Sequence, residues 1–402
     1  MLNDTVLGHT APDEQELRDK VKVLIDGHDL TKREEFLDAR FDAGLAWVHF
    51  PEGLGGLGLP RSMQNIVDEA LAAAQAPDNR PDRIGIGLGM AAPTILGHGT
   101  DEQKQRWLRK LWTGREVWCQ LFSEPGAGSD LAALATRAVR DGDGWVVSGQ
   151  KLWTSSAHQA DWGLLVARTD PDVPKHAGLT YFACDMHAPG IEVRPLRQLT
   201  GEAEFNEEFL TEVRIPDSDR IGAVGEGWTV AMTTLMSERV SIGSSRAFPR
   251  DAGMIAPALR TWREKRELRT HGLHDRLLRL WTEAEVARLA AERLRQQLAA
   301  GKPGPEGSAA KLVFARLNQE ISGFEVELSG ADGLRYDDWT MRRPENANFF
   351  GRGPGFRYLR ARGNSIEGGT SEVLRNIIAE RVLGLPPEQR PDKGVPWKDV
   401  PR

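Results

Sequence analysis

Cysteine and long apolar runs are both scarce in this sequence. The 402 residues include only Cys119 and Cys184, which excludes a disulfide-built scaffold and a thiolate metal cluster. The most apolar early window, residues 84–97, is too short and too rich in glycine to span a bilayer. Residues 1–26 lack the charged head and apolar run of a signal peptide. We therefore expect a cytoplasmic protein with no membrane partner.

An excess of charge of one sign is also absent. Lys and Arg total 52, Asp and Glu total 58, and the net charge is −6. Because no block of basic residues stands alone, nucleic acid is excluded as an expected partner. His98, His158 and His176 show no metal-ligand spacing, so we expect no metal.

The composition is that of a globular protein with a large core. Hydrophobic residues make up 40% of the chain and charged residues 27%, which are ordinary values for such a protein. A chain of this length buries most of its surface without crosslinks. At about 150 residues per domain, the length corresponds to two or three domains.

The spacing of apolar residues changes twice along the chain. Helical spacing dominates up to residue 118, short β-rich runs follow, and helical spacing returns after Gly225. The β-rich runs include residues 162–168, 179–185, 191–196 and 209–215, with an Asp-Gly hairpin signal at residues 141–144. The pattern predicts an α+β multi-domain fold. Its segments are an N-terminal α-helical domain (1–118), a central β domain forming a small barrel or sandwich (119–225), a C-terminal α-helical domain (226–386) and a loosely ordered tail (387–402).

Two Gly- and hydroxyl-rich segments are candidate binding loops. Residues 122–130 (FSEPGAGSD) follow a short apolar strand, and glycines there would let backbone N–H groups approach an anionic ligand. Residues 149–156 (GQKLWTSS) place Trp153 beside hydroxyl residues, which suits a flat heteroaromatic cofactor. An ordinary turn and a barrel-core tryptophan are the alternative interpretations.

Glu238 is the first candidate proton acceptor. On a helix through residues 227–245 it shares one face with apolar side chains, and apolar side chains also cover the opposite face. The first face carries Ala231, Leu235 and Ile242, and the opposite face carries Met232, Met236 and Val240. Such a helix is buried, so Glu238 would be a carboxylate in a dry environment, usable as a base. The alternative is an internal ion pair with Arg239 or Arg246.

A third glycine-rich segment, residues 363–370 (GNSIEGGT), precedes an amphipathic helix. Free N–H groups at such a helix start can bind an oxygen or a phosphate group. The alternative is a plain loop in which Thr370 caps the helix. Glu367 is the second carboxylate of interest.

Five ordered blocks together resemble the acyl-CoA dehydrogenase family. The blocks are residues 50–58 (FPEGLGGLG), 98–104 (HGTDEQK), 122–130, 149–155 and 368–385. The resemblance implies two α domains, the second a four-helix bundle, around a β-barrel. It implies that FAD lies between the β domain, the C-terminal helices and a neighbouring subunit of a homodimer or homotetramer. It also implies α,β-dehydrogenation of an acyl-CoA thioester to the trans-2-enoyl-CoA, with hydride transfer to flavin N5 and an electron-transfer flavoprotein as acceptor.

The resemblance also implies roles for single residues. The matching cofactor contacts are Gln120, Phe122, Ser123, Gly128, Ser129, Trp153, Thr154, Ser155, Arg246, Thr370 and Glu372. Trp153 matches the aromatic residue that packs on the isoalloxazine, and Ser155 the hydroxyl near N5. Ser129 and Gly369 match substrate contacts, and Gly368 matches the backbone N–H that holds the thioester carbonyl, an oxyanion-hole type of contact.

The chain departs from the family in two places. Many members carry the base immediately before Gly-Thr, where this chain has Gly368, so Glu367 stands one residue early. Glu238-Arg239 matches the isovaleryl and long-chain branches, and Glu238 is the preferred base with Glu367 as the alternative. The Arg-x-x-Phe-Gly motif is replaced by residues 245–250 (SRAFPR), with Arg246 as a substitute, and the Gly-Gly-x-Gly loop is degraded at residues 329–333.

These departures keep other functions open. A mixed oligomer could supply the missing FAD contacts, in which case the chain would be a weakly active or non-catalytic partner subunit of a heteromeric dehydrogenase. A same-fold flavin monooxygenase or oxidase, or a dehydrogenase of acyl groups on a carrier protein, would keep the fold and change the reaction.

Overall fold

The computed structural model describes residues 14–243, 249–299, 307–336, 338–344 and 352–400. Its elements run in the order helices, strands, helices, so the α+β fold predicted from the sequence is confirmed. The chain forms two compact units, the first comprising Met1–Ile84 with Thr100–Glu116 and the second Gly85–Gly99 with Val117–Arg402.

The main elements have the following bounds. The helices are α1 (Glu14–Gly27), α2 (Arg33–Asp42), α3 (Gln64–Ala73), α4 (Ala92–His98), α5 (Asp101–Thr113), α6 (Gly227–Gly243), α7 (Ala256–Glu264), α8 (His271–Ala299), α9 (Gly307–Leu328), α10 (Pro354–Ala361) and α11 (Ser371–Arg381). The strands are β1 (Trp118–Leu121), β2 (Arg137–Asp141), β3 (Gly144–Ser155), β4 (Trp162–Arg168), β5 (Leu179–Asp185), β6 (Ile191–Leu196), β7 (Phe205–Pro216) and β8 (Arg220–Ile221).

The first unit packs α1, α2 and α3 around an apolar core. Leu17, Val21 and Leu24 recur at helical spacing on α1 and are buried with Val67 and Leu71 of α3, as expected for an amphipathic helix. Helix α5 begins with a capping box, in which Thr100 and Gln103 each bond the other's backbone N–H.

The glycine-rich loop at residues 50–58 is tightly packed in the same unit. Trp47 and Phe50 stack with ring centroids 4.4 Å apart, and Gly56 lies directly against this pair. A Cβ atom on Gly56 would meet the carbonyl oxygen of Phe50 at 2.0 Å. Only glycine is therefore compatible with the close approach of these two backbone segments.

The second unit contains one eight-stranded sheet in the order β6-β7-β3-β2-β4-β5-β8, with β1 parallel to β4. The bounds of β4, β5 and β6 are those predicted from the sequence, and β2 and β3 form the predicted hairpin. Trp145 of β3 and Phe182 of β5 touch, with ring centroids 5.5 Å apart. Because β2 and β4 lie between those strands, the sheet must curl around a common core.

Both cysteines lie in that core. Cys119 of β1 and Cys184 of β5 pair with the same residue, Gly163 of β4, from its two sides. Both side chains are fully buried. They are structural residues of the sheet.

The C-terminal helices pack on the sheet and on one another. The Tyr181 hydroxyl of β5 and the Thr234 hydroxyl of α6 are 2.9 Å apart. Helix α9 contacts α6, α7, α8, α10 and α11, and its buried residues Leu317, Ile321 and Phe324 form a shared core with Leu277 and Leu280 of α8. In the part of the chain that the structure describes, no helix is both long enough and apolar enough to cross a bilayer.

The tail, which we expected to be loosely ordered, is anchored near its end. The Trp397 indole N–H donates to the Ala133 carbonyl at 3.1 Å, and the Arg168 guanidinium lies 4.6 Å from the ring centroid. Lys398 pairs with Asp172 at 2.6 Å. Trp397 is the single aromatic residue of this polar tail, and one aromatic residue does not predict that a tail is anchored.

Replacing Gly56 tests the loop geometry. We expect Gly56→Ala to lower the free energy of unfolding by ~1–3 kcal/mol, because a backbone oxygen must move to admit the methyl group. Gly27→Ala is the matched control, since no atom lies within 4 Å of that position. Thermal unfolding measures both, and equal melting temperatures for the two variants would contradict the packing of this loop.

Candidate active site

A deep cleft lies within the second unit, between the turn after β1, the end of β3 and the C-terminal helices. Its volume is about 2530 Å³, whereas a single small ligand typically fills ~300–1,000 Å³. The cleft can therefore hold a large cofactor and a substrate side by side.

The turn at residues 122–130 is fixed from behind by a buried ion pair. The Glu124 carboxylate accepts the N–H groups of Ala135 at 2.6 Å and Thr136 at 3.0 Å, and accepts Lys151 Nζ at 2.9 Å. The same ammonium donates to the carbonyls of Phe122 and Val166 at 3.0 and 2.9 Å. Burial lowers the pKa of Lys151, and the Glu124 carboxylate opposes that shift.

The predicted residues of this turn share one wall of the cleft, which is lined by Gln120, Phe122, Ser123, Gly128 and Ser129. The hydroxyls of Ser123 and Ser129 form no hydrogen bond with any residue that the structure describes. They are therefore available as donors to a ligand.

Trp153 projects into the cleft from a bulge in β3. The pairing with β7 shifts register between Leu152 and Thr154, so Trp153 is the extra residue. Its φ of 64° is left-handed, which is uncommon for a large side chain. The ring is 54% exposed and meets Phe205 edge-on, with centroids 5.8 Å apart. The indole thus offers an open aromatic face, and Ser155 lines the cleft beside it.

Thr154 is not part of this wall. It is buried, and its hydroxyl donates to Glu208 Oε2 at 2.6 Å while its carbonyl accepts the Asn206 amide at 3.0 Å. The bulge turns this side chain into the sheet, so the sequence-based assignment of Thr154 to the cofactor finds no geometric support.

Glu208 was missed in the sequence and lies behind Trp153. It is fully buried, opposite Lys151 in the β3–β7 pairing, and its Oε1 has no partner among the described residues. Burial raises the pKa of Glu208 from 4.5 to about 8. The alternation of Asn206, Glu208 and Leu210 on one face of β7 could have indicated that it points inward.

Glu238 lines the cleft from α6, together with Met232 and Leu235. It is half-buried, and Met236 is 54% exposed. The prediction that α6 is apolar and buried on both sides is therefore wrong, because one part of the helix faces open space. The carboxylate is accessible from the cleft.

Glu367 also lines the cleft, but it is held by a cation. Arg360 donates to its two carboxylate oxygens at 3.2 and 3.0 Å, and Asn364 donates to Oε1 at 2.5 Å. The same guanidinium donates to Glu204 at 3.0 Å. Both carboxylate oxygens are already occupied by these donors, so Glu367 is the weaker base on geometry as well as on sequence.

The loop before α11 makes two left-handed turns at Gly368 and Gly369, with φ of 64° and 96°. The Gly368 N–H has no acceptor in the described part of the chain, and both glycines line the cleft. Thr370 lines it too and caps α11 by accepting the Val373 N–H at 3.2 Å. Glu372 is exposed, pairs with Arg375 and does not line the cleft.

Two further predictions concern the edges of the site. Arg246 lies outside the described residues. The segment 329–333 belongs to a 3₁₀ turn that packs back on α9, where a Cβ on Gly333 would meet the Val326 carbonyl oxygen at 2.0 Å. This turn does not line the cleft.

The donor set fits FAD. An exposed indole, hydroxyls without partners and backbone N–H groups at a helix start suit a flat ring carrying a polar, phosphorylated chain. Among the described residues, no group of three His, Cys, Asp or Glu side chains is placed to hold a metal ion.

Comparison with known proteins gives three family matches along the chain. They are the acyl-CoA dehydrogenase N-terminal domain at residues 13–115, the middle domain at 119–214 and the C-terminal domain at 225–383.

Individual relatives agree with these matches. Acyl-CoA dehydrogenase FadE34 of Mycobacterium tuberculosis is 43% identical over 86% of this chain, which spans only 45% of that protein. Acyl-CoA dehydrogenase IpdE1 of the same organism is 37% identical over 87% of this chain and 86% of its own length. The solved structure of a Tcur3481-Tcur3483 steroid ACAD variant aligns with a TM-score of 0.70 and 26% identity, over 93% of this chain and 99% of that one.

The buried acid behind Trp153 makes a prediction about pH. Between pH 4.5 and about 8, the folded protein keeps a proton on Glu208 that the unfolded chain releases, so this group lowers the free energy of unfolding by ~1 kcal/mol per pH unit as pH rises. Glu208→Gln removes this pH-dependent loss of stability, and its amide oxygen can still accept the Thr154 hydroxyl. We expect the melting temperature of the variant, relative to the wild type, to be higher at pH 8 than at pH 5.

Glu207→Gln is the control, because Glu207 is the strand neighbour and bonds Gln150 at 2.5 Å on the other face. A Glu208→Gln difference that is the same at both pH values would show that Glu208 is not protonated in the folded protein.

Proposed function

Because the chain belongs to the acyl-CoA dehydrogenase family of FAD-dependent oxidoreductases, we propose that it dehydrogenates an acyl-CoA thioester to the trans-2-enoyl-CoA. One observation carries the proposal: the Glu238 carboxylate lines the same cleft as the Trp153 indole and the Gly368-Gly369 turn. A proton acceptor, an aromatic wall and an unpaired N–H thus face one space.

The residues proposed to hold FAD are Gln120, Phe122, Ser123, Gly128, Ser129, Trp153, Ser155 and Thr370, with Arg246 proposed from the sequence. Trp153 supplies a face for the ring system and Ser155 a hydroxyl at its edge, while the turn and the start of α11 supply donors for the polar chain. When bound, FAD accepts the hydride that leaves the β-carbon.

Residues of the chain act on the other hydrogen that the reaction removes, the α-proton. The Gly368 N–H donates to the thioester carbonyl oxygen and stabilises the negative charge that develops there. A carboxylate oxygen of Glu238 accepts the α-proton. Glu367 is tied to Arg360 and is not given this role. Ser129 and Gly369 complete the substrate contacts.

A bulky acyl group is the proposed substrate class. The cleft volume of about 2530 Å³ and the similarity to a structure described as a steroid ACAD support it. An electron-transfer flavoprotein is the proposed acceptor, and the proposed location is the cytoplasm.

Anaerobic addition of acyl-CoAs, from short-chain to steroid-derived, tests the proposal: the yellow flavin should bleach, most readily with bulky thioesters.

Other reactions would give other results. Rapid oxygen consumption with hydroxylation of a substrate would favour a monooxygenase, and bleaching only by carrier-bound acyl groups would change the substrate class. Failure of every thioester to bleach the flavin would refute the proposal.

A second candidate role is that of a partner subunit in a heteromeric dehydrogenase. The observation favouring it is that the 329–333 turn packs on its own helix and leaves the cleft without that loop. Expression alone should then give colourless protein that becomes yellow on coexpression with a homologue, whereas a homodimer or homotetramer would bind FAD by itself.

Substitution of the two carboxylates tests the base. We expect Glu238→Gln to retain FAD and to slow flavin bleaching by ~10²–10⁴-fold, because proton abstraction is lost. Glu367→Gln should slow bleaching much less, since Arg360 and Asn364 already bind that side chain. Stopped-flow reduction with the best thioester measures both rates, and near wild-type bleaching by Glu238→Gln would move the base elsewhere.

A further inference from the structure

Lys311 is a buried cation of α9 that borders the cleft. Its side chain is only 5% exposed, and Nζ donates to the Gly369 carbonyl at 2.6 Å. Ser308 and Ala315, which flank it on the buried face of the helix, are small. The lysine chain can therefore run between α9 and the loop before α11 without displacing a larger residue.

Three carboxylates act electrostatically on this ammonium group. Burial lowers the pKa of Lys311, and the charges of Glu367, Glu238 and Glu372, in decreasing order, act against that shift. Arg360 binds both Glu367 and Glu204, so one cation is shared between two carboxylates. Lys311 therefore adds positive charge that acts first on Glu367 and next on Glu238.

The same contact fixes the glycine turn. Arg360 holds Glu367 on one side of Gly368, and Lys311 holds the Gly369 carbonyl on the other. Glycines have no side chains to limit their conformations, so these two cations are the anchors between which the unpaired Gly368 N–H is presented.

We propose that Lys311 is a positioning residue for the reaction, whose ammonium group orients the Gly368-Gly369 turn and favours the ionised form of Glu238. The proposal rests on the proposed function. It assigns two separable effects to one side chain: a hydrogen bond that orients a donor, and a charge that assists a base.

Three substitutions separate these effects. Lys311→Met removes both, Lys311→Gln keeps a neutral donor on a side chain one bond shorter, and Lys311→Arg keeps both. Arg276→Met is the control, because it removes another cation packed against α9, where Arg276 pairs with the exposed Glu327. FAD content and melting temperature establish that each variant is folded, and if Lys311→Met is not, the pH dependence of Lys311→Gln still tests the effect of the charge.

The first measurement is a binding difference. The 2,2-dimethyl analogue of the best substrate has no α-proton but retains the thioester carbonyl, and its thioether counterpart lacks that carbonyl. Calorimetry should show that Lys311→Met loses ~5–10-fold in affinity for the thioester, as expected for one misplaced hydrogen bond, and nothing for the thioether. Lys311→Arg should keep the wild-type preference for the thioester over the thioether, and Lys311→Gln should keep part of it.

The second measurement is the pH dependence of flavin bleaching. Loss of a nearby cation disfavours a carboxylate, so the acidic limb should move to higher pH by ~1 unit in Lys311→Met and Lys311→Gln, with bleaching at least tenfold slower below that limb. Lys311→Arg and Arg276→Met should follow the wild type.

The outcomes are distinct. An unmoved acidic limb and an unchanged thioester preference in Lys311→Met would overturn the inference, as would equal losses for thioester and thioether, which indicate a structural role alone. If no thioester bleaches the wild type, the proposed function itself fails. Bleaching of the wild type together with wild-type behaviour of the variant refutes only the role of Lys311.

Discussion

The cleft depends on one buried ion pair, Lys151 with Glu124. A single ammonium group joins the end of β1, the following turn and β4, and its partner carboxylate also binds the backbone just before β2. Removing either partner would leave an uncompensated charge in the sheet, which costs ~3–5 kcal/mol. The position of the 122–130 turn, which faces the cleft, thus depends on an ion pair that lies behind the turn.

The same arrangement recurs around the cleft, where ionisable groups stand behind two further irregular pieces of backbone. Glu208 receives the hydroxyl of Thr154 at the Trp153 bulge, and Lys311 and Arg360 hold the loop with Gly368. Irregular backbone gains little from regular ladders of hydrogen bonds. Buried side-chain groups supply those bonds instead, and they fix the direction in which N–H groups and rings project.

Sequence reasoning predicted the regular elements better than the site. The strands β4, β5 and β6 follow from short β-rich runs, but no such run indicates the bulge at Trp153, where Thr154 points into the sheet and not toward the cleft. Met236 was predicted to be buried, because helical periodicity shows which side chains share a face but not what packs against that face. Lys311 binds Gly369 and Arg360 binds Glu204, both far away along the chain, and no local pattern indicates such contacts.

The two buried cysteines can report when the sheet opens. Cys119 and Cys184 lie on the two strands that flank Gly163. Neighbouring strands are ~4.8 Å apart, so the two cysteine backbones are separated by about twice that spacing. A disulfide requires Cα atoms within ~7 Å of each other, so these two cysteines cannot form one in the folded sheet. Burial raises the pKa of Cys184 to about 12 and that of Cys119 well above its usual range. A thiol reagent can therefore modify this protein only while the sheet is open, and the rate of modification reports opening of its core independently of flavin colour.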